Sequence, residues 1–131
     1  MILLDTDTFS FMARGVPSVV QACSSIDAND LKLSVISQGE IIHGMHHHKL
    51  SAARQSLIMS LMQDFEVLPI TTEVAAVYGE IKANLTKLGQ PIGPNDFWIA
   101  AHALSLGATL VTNNVREFKR IKGLKVNNWL T

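Results

Sequence analysis

A single cysteine, Cys23, in 131 residues excludes an internal disulfide framework and suits a reducing compartment. Proline and glycine are sparse, at four and eight residues, and aromatics make up only 6%. Charged residues stand at 17% and hydrophobic ones at 47%, so collagen-like, low-complexity and disordered chains are excluded. Neither charge sign dominates: eleven Lys and Arg balance eleven Asp and Glu, for a formal net charge of zero. Wholesale electrostatic adhesion to nucleic acid is therefore not expected, and a nucleic-acid partner must be held by a local patch. No apolar run approaches the ~20 residues of a membrane helix. Residues 1–7 show no basic leader ahead of an apolar stretch, so no secretion signal is expected. The expectation is a soluble, cytoplasmic single domain over residues 1–131, large enough to bury a core without a metal or disulfide staple.

What is present is alternation. Short apolar runs closed by polar turns predict strands at residues 1–4, 31–36, 67–70, 108–111 and 125–127. Between them the apolar residues recur at helical spacing. Val74, Val77, Tyr78, Ile81, Leu85 and Leu88 form one stripe of a helix over 72–88, with Thr72 as N-cap and Gly89 just past its end. A second helix is expected over 51–63, carrying Leu57, Ile58, Leu61 and Met62. A third covers 95–106, with Phe97, Ala100, Ala101 and Leu104 inside and Gly107 closing it. Strands alternating with helices imply parallel pairing, because crossovers cover both faces of the sheet. The predicted fold is a three-layer α/β sandwich with a mostly parallel sheet of four to five strands.

In such a sheet ligands lie beyond the carboxyl ends of the strands. Acids and amides follow several of them: Asp5 and Asp7 after the first, Ser37 and Glu40 after the second, and Asn113, Asn114 and Glu117 after the fourth. Asp96 opens the helix that follows the rigid turn Pro91-Ile92-Gly93-Pro94. Carboxylates forced together repel unless protons or cations compensate. Hard oxygen donors without Cys or clustered His favour Mg²⁺ or Mn²⁺. Such ions activate water and neutralise the charge that develops on a phosphodiester. The residues thus describe a metal-dependent phosphodiesterase. A plainer account exists for each acid taken alone: Asp5 or Asp7 as an N-cap, Ser37-Gln38-Gly39-Glu40 as a capping box, and Asp96 as a charge suited to the helix dipole.

Four ordered blocks resemble PIN-domain ribonucleases, specifically the VapC toxins of bacterial toxin–antitoxin pairs. They are Leu4-Asp5-Thr6-Asp7, then Ser34-Val35-Ile36-Ser37-Gln38-Gly39-Glu40 followed by Gly44. Next come Pro91-Ile92-Gly93-Pro94-Asn95-Asp96 leading into Ile99-Ala100-Ala101-His102-Ala103, and Leu110-Val111-Thr112-Asn113-Asn114-Val115-Arg116-Glu117-Phe118. Arg120-Ile121, Gly123-Leu124 and Asn128-Trp129 extend the match nearly end to end. The resemblance implies a PIN-like fold in which Asp5, Glu40 and Asp96 are catalytic, metal-binding acids. The fourth position falls on Asn114, where many PIN nucleases have Asp, leaving the role between Asn114 and Glu117. Asp7 stands where the family usually has Asn and takes a supporting role, as do the hydroxyls of Ser37 and Thr112. The resemblance further implies an Mg²⁺- or Mn²⁺-dependent endoribonuclease that cuts tRNA, with the initiator tRNA anticodon loop as one candidate. It also implies a cognate VapB-type antitoxin, a homodimer within a larger toxin–antitoxin assembly, and operator DNA reached only through the antitoxin.

Two other readings compete. Asp5-Thr6-Asp7 after a strand is similar to the nucleophile and acid pair of haloacid-dehalogenase phosphatases, although Phe9 breaks that motif and no downstream Lys can be placed. A non-catalytic PIN module, whose acids only bind a partner's Arg, is the second. Arg116, Lys119, Arg120, Lys122 and Lys125 crowd one short span and are the best candidates for RNA contact, helped by Arg14 and Lys49. His43 and Met45-His46-His47-His48 tempt a zinc reading, but without Cys or an HExxH pattern an exposed, partly basic turn is expected. His102 is expected in or beside the core. The apolar early segment around Phe9, Phe11, Met12, Val16, Val19 and Val20 is core by default, and in this family early helices pair protomers or receive the antitoxin.

Overall fold

A computed structural model describes residues 1–130. Five short strands, β1 (Ile2–Leu4), β2 (Leu31–Ser34), β3 (Glu66–Leu68), β4 (Thr109–Val111) and β5 (Lys125–Asn127), form one sheet in the order β3-β2-β1-β4-β5. Every pairing is parallel, with Leu4 opposite Leu33 on one side and Val111 on the other. Seven helices flank the sheet: α1 (Thr6–Ala13), α2 (Pro17–Ser24), α3 (Val35–His47), α4 (Ala52–Gln63), α5 (Thr72–Lys87), α6 (Pro94–Leu106) and α7 (Val115–Phe118).

Successive side chains of a strand point to opposite faces, and both faces of this sheet are covered. Leu3 and Leu110 join Leu85, Phe97 and Phe118 on one side. Leu4 and Val111 join Phe9, Leu33, Ile41 and Phe65 on the other. Continuous burial explains why these strands read as unbroken apolar runs rather than alternating ones. Leu3, Leu4, Leu33 and Leu110 are fully buried, each contributing about 2 kcal/mol of hydrophobic stabilisation. Phe9 and Phe65 lock the second layer edge to face, with ring centroids 5.8 Å apart. Ala100, Ala101 and Ala103 let α6 approach its neighbours closely and, with Ile99 and His102, make it a buried helix on several sides.

The expected strands and helices are present, with shifted ends. The strand expected over 31–36 stops at Ser34, because Val35 and Ile36 already turn into α3. The strand expected over 67–70 runs from Glu66 to Leu68, cut short by Pro69. The N-cap of α5 is Thr71 rather than Thr72; its hydroxyl accepts from the Val74 N–H at 3.3 Å. Leu88 leaves the apolar stripe as the C-cap and is 61% exposed, while Leu57 and Val20 also face solvent. Gly107 closes α6 in the left-handed region at φ 65°, the conformation that suits glycine there. The histidines belong to the last turns of α3, not to a turn; His43, His46, His47 and His48 are all exposed, with the His43 and His47 rings stacked. No helix among the described residues is long and apolar enough to cross a membrane.

Chain order reverses at β1: β2 and β3 lie to one side of it, β4 and β5 to the other. The crevice beyond the carboxyl ends of β1 and β4 is the topological switch point, where doubly wound sheets bind ligands.

Candidate active site

Asp5 ends β1 and caps α1. Its carboxylate accepts from the Thr8 N–H at 2.8 Å, satisfying one of the orphan donors of the first turn. The Asp5 N–H donates to the Val111 carbonyl at 3.0 Å, and the Thr8 hydroxyl reaches the same carbonyl at 3.2 Å, stitching β1 to β4. Burial pushes the Asp5 carboxyl above the ordinary range, and hydrogen bonds from Thr112 and Thr8 pull it partly back. Cap and site residue are one and the same here.

The β2–α3 junction corrects the capping-box expectation. Ser34 is the N-cap: its hydroxyl accepts from the Ile36 N–H at 3.1 Å and lies 2.9 Å from His102 Nδ1, both side chains being buried as expected for His102. Ser37 therefore sits inside the first turn, where its buried hydroxyl has no hydrogen-bond partner among the described residues. Glu40, one turn further on, binds away from its own helix. It accepts from Thr6 Oγ1 at 2.6 Å and Asn95 Nδ2 at 3.4 Å, which ties α3 to α1 and α6. The Ser34–His102 pair should be a stability determinant. Ser34→Ala removes a cap worth about 1 kcal/mol and leaves the buried His102 nitrogen without its partner, at about 1 kcal/mol or more. A fall of about 1 M in the urea midpoint is expected; an unchanged midpoint would refute the role.

Asp96 lies in the first turn of α6, which has Gly93 as N-cap and Pro94 at its first position. A Cβ at position 93 would meet Asp96 Oδ2 at 3.4 Å, an ordinary van der Waals contact, which places the carboxyl directly over the N-cap. The helix dipole favours an anion there, yet Asp96 is raised from 3.8 to about 6. The causes, in order, are burial and the charges of Glu40, Asp5, Glu117 and Asp7. Four acids from three other segments thus act on one carboxyl.

At the end of β4, buried Thr112 accepts from the Asn114 N–H at 2.9 Å. Asn114 Nδ2 donates to Glu117 Oε2 at 2.9 Å, so the two candidates for the fourth position form a bonded pair. Asp5, Thr6, Asp7, Glu40, Asp96 and Ile99 line a single pocket of about 100 Å³. Asn114, Glu117, Ser37 and Thr112 are not among its lining residues, although the charge of Glu117 reaches Asp96. Thr6 and Asn95, which hold Glu40, carry no sequence signal beyond adjacency to Asp5 and Asp96.

Among the described residues, no group of three or more His, Cys, Asp or Glu side chains is arranged to hold a metal ion. Glu40 is turned to Thr6 and Asn95, and Asp5 to the α1 backbone. The donor chemistry still fits a hard divalent cation: the pocket offers only oxygens, with no thiolate or imidazole. No basic side chain neutralises these acids, since the one ion pair among the described residues is Lys32–Glu66. Of the expected RNA contacts, Arg116 and Lys119 are exposed, whereas Arg120 donates to the Pro91 carbonyl at 3.2 Å and braces the turn that leads to Asp96.

A model of the PIN domain matches residues 2–124. The tRNA(fMet)-specific endonuclease VapC of Salmonella typhimurium is 33% identical over 127 residues, covering 97% of this chain and 96% of the relative. Ribonuclease VapC1 of Haemophilus influenzae is 36% identical over 129 residues, covering 97% and 96%. The crystal structure of VapBC2 from Rickettsia felis bound to a promoter DNA fragment superposes with a TM-score of 0.90 at 32% identity, covering 98% and 99%. The haloacid-dehalogenase reading is thereby set aside. A parallel sheet in the order 3-2-1-4-5, acids gathered at its switch point and near-complete coverage by these relatives show that the chain belongs to the PIN domain family, among the VapC ribonucleases.

Proposed function

We propose that this chain is the toxin of a type II toxin–antitoxin pair and a divalent-ion-dependent endoribonuclease that cuts tRNA. The observation that carries the chemistry is the acid pocket, where burial first and then the charges of Glu40, Asp5, Glu117 and Asp7 hold the Asp96 carboxyl at about 6, with no ion pair to these acids among the described residues. Asp5, Glu40 and Asp96 would hold Mg²⁺ or Mn²⁺, with Asn114 and Glu117 completing the donor set as a pair. When bound, the ion supplies an activated water and neutralises charge on the phosphodiester. Thr6 and Asn95 orient Glu40, Thr112 and Thr8 steady Asp5, and Asp7 adds charge at the rim. The RNA 2′-hydroxyl is not needed as a nucleophile, so the products carry 5′-phosphate and 3′-hydroxyl ends. Substrate choice then rests on shape and unstacked bases. The name of the Salmonella relative supports initiator tRNA as the target. Structural relatives solved as VapBC complexes, one of them on promoter DNA, support a VapB-type antitoxin that restrains the enzyme and carries it to operator DNA. A homodimer in the cytoplasm completes the proposal.

The test is cleavage of total tRNA by the purified chain with Mg²⁺ or Mn²⁺, stopped by EDTA. Glu40→Gln keeps the size of Glu40 and an oxygen to accept from Thr6 Oγ1, but removes its charge and the second acceptor that faces Asn95 Nδ2. It should be folded and at least ~100-fold slower, about 2.7 kcal/mol of lost transition-state stabilisation. Cleavage at the wild-type rate would leave Glu40 a positioning residue only. No cleavage by the wild type under any divalent ion would favour the non-catalytic binding module.

A further inference from the structure

A second cavity, of about 380 Å³, opens from the acid pocket. The two share Thr6, Asp7 and Glu40. It runs between α1, α3 and α4 over an apolar floor that includes Phe9, Ile41 and Met45, and Arg14, His48 and Arg54 line its other reach. The charge order follows from the helices. Along α1 the chain passes from Asp7 to Arg14 at its C-cap, seven residues or about 10 Å on. Along α3 it passes from Glu40 to the C-cap His48, eight residues or about 12 Å on. The first helix starts at the switch point and the other at the neighbouring carboxyl end of β2, and each carries acid on its pocket side and a basic group at the far end.

The two arginines are unspent. Neither pairs with a carboxylate among the described residues. Among the described residues Arg14 bonds only the Ser10 carbonyl, through Nε at 3.4 Å, with its guanidinium over the Phe11 ring, and neither terminal nitrogen has a partner there. Arg54 is exposed on α4 and has no side-chain hydrogen bond among the described residues. Guanidinium groups suit phosphate oxygens because their planar fork matches them.

We infer that this groove is the track for single-stranded RNA next to the scissile phosphate, with Arg14 and Arg54 gripping backbone phosphates beyond the acid pocket. This rests on the ribonuclease reading and refines it. The acids repel every phosphate except the one their ion would hold, so the neighbouring backbone must be held by cations placed further along, and a chain of zero net charge can supply them only locally. The run of about 10 Å from Asp7 to Arg14 suits a short stretch of extended strand. Of the other basic span, Arg120 is tied to Pro91 and shares a separate cavity with Lys122 and Glu80, whereas the exposed Arg116 and Lys119 are the competing contact, set apart from the groove.

The test measures binding of fluorescently labelled tRNA to wild type and to Arg14→Gln/Arg54→Gln, with Ca²⁺ in place of Mg²⁺, across a salt series. Cleavage is measured separately with Mg²⁺ or Mn²⁺. The double variant should bind at least tenfold more weakly and lose about 1.4 from the slope of log K against log salt, about 0.7 for each single-strand phosphate contact. Its kcat at saturating RNA should stay within twofold of wild type, because neither arginine lines the acid pocket. An Arg116→Gln/Lys119→Gln variant should change affinity less. Wild-type cleavage combined with unchanged affinity in the groove variant, or a larger loss in the Arg116/Lys119 variant, would overturn the track and leave the nuclease standing. A loss confined to antitoxin binding would likewise overturn it and give the groove to the partner chain. A wild type that neither binds nor cuts RNA overturns both readings.

Discussion

Asp5→Asn should lose RNA cleavage by about a thousandfold or more while melting within a few degrees of wild type. The activity loss corresponds to about 4 kcal/mol of transition-state stabilisation, the scale expected when a carboxylate ligand of an electrophilic ion is removed. The fold is spared for two reasons. Asn is as good an N-cap as Asp, and its side-chain oxygen can accept from the Thr8 N–H as Asp5 does. The ionised carboxylate is also a burden to the folded state, because burial raises its pKa. An acid whose folded pKa is raised costs stability progressively as pH rises from its unfolded value to its folded one, and the full cost persists above. Asp5→Asn should therefore be neutral or slightly stabilising at pH 7 and lose that advantage near pH 4. Asp5→Ala, which lacks the cap, should instead cost about 1 kcal/mol or more at every pH. Calorimetry beside tRNA cleavage checks both halves. A wild-type rate for Asp5→Asn would remove Asp5 from the chemistry.

A second large effect runs through Asp96. Its carboxyl titrates at about 6, against 3.8 for the ordinary group, through burial first and the neighbouring acids second. Between those values the native state holds a proton that the unfolded chain has released. Unfolding free energy therefore falls as pH rises from about 4 to about 6 and is flat above. Asp96→Asn should flatten that segment and raise stability at pH 7 by about 1–2 kcal/mol, allowing for solvent screening of a partly exposed group. Mn²⁺ or Mg²⁺ should do the same to the wild type, by about 2.7 kcal/mol at a hundredfold excess over Kd. Neither ion should raise the melting temperature of Asp96→Asn by a comparable amount. Metal stabilisation should fade at pH 5, where Asp96 is mostly protonated, and cleavage at limiting metal should climb as pH passes through about 6. Equal metal stabilisation of wild type and Asp96→Asn would remove Asp96 from the ion's ligands.

Much of this was legible in the residues. Leu3-Leu4 and Leu110-Val111 announce buried strands because a sheet covered on both faces asks for apolar side chains in both directions. Asp5 and Asp96 could be placed because each directly follows a strand end or a proline-glycine turn. Local pattern misleads where two helix starts compete. Ser37-Gln38-Gly39-Glu40 has capping-box spacing, but Ser34 takes the cap because His102, 68 positions away, holds its hydroxyl. Arg120 reads as one more surface cation until the fold brings Pro91 to it, 29 positions away. The partnership of Thr6 and Asn95 around Glu40 is equally a product of tertiary contact. Glu40 illustrates the limit: its type and spacing suited both cap and ligand, and only its distant donors separate them.

The central strand is also the first to be synthesised. Leu4 pairs with Val111, more than a hundred positions later, so at about 5–20 residues per second a ribosome needs on the order of 5–20 s to supply its second neighbour. Until then the acids at positions 5 and 40 have no α6 or β4 beside them, and the nascent polypeptide has no assembled centre. The site can therefore assemble only after α6 and β4 have been synthesised. A chain that stops before the fourth strand lacks both the second neighbour of β1 and the segment that bears Asn114 and Glu117.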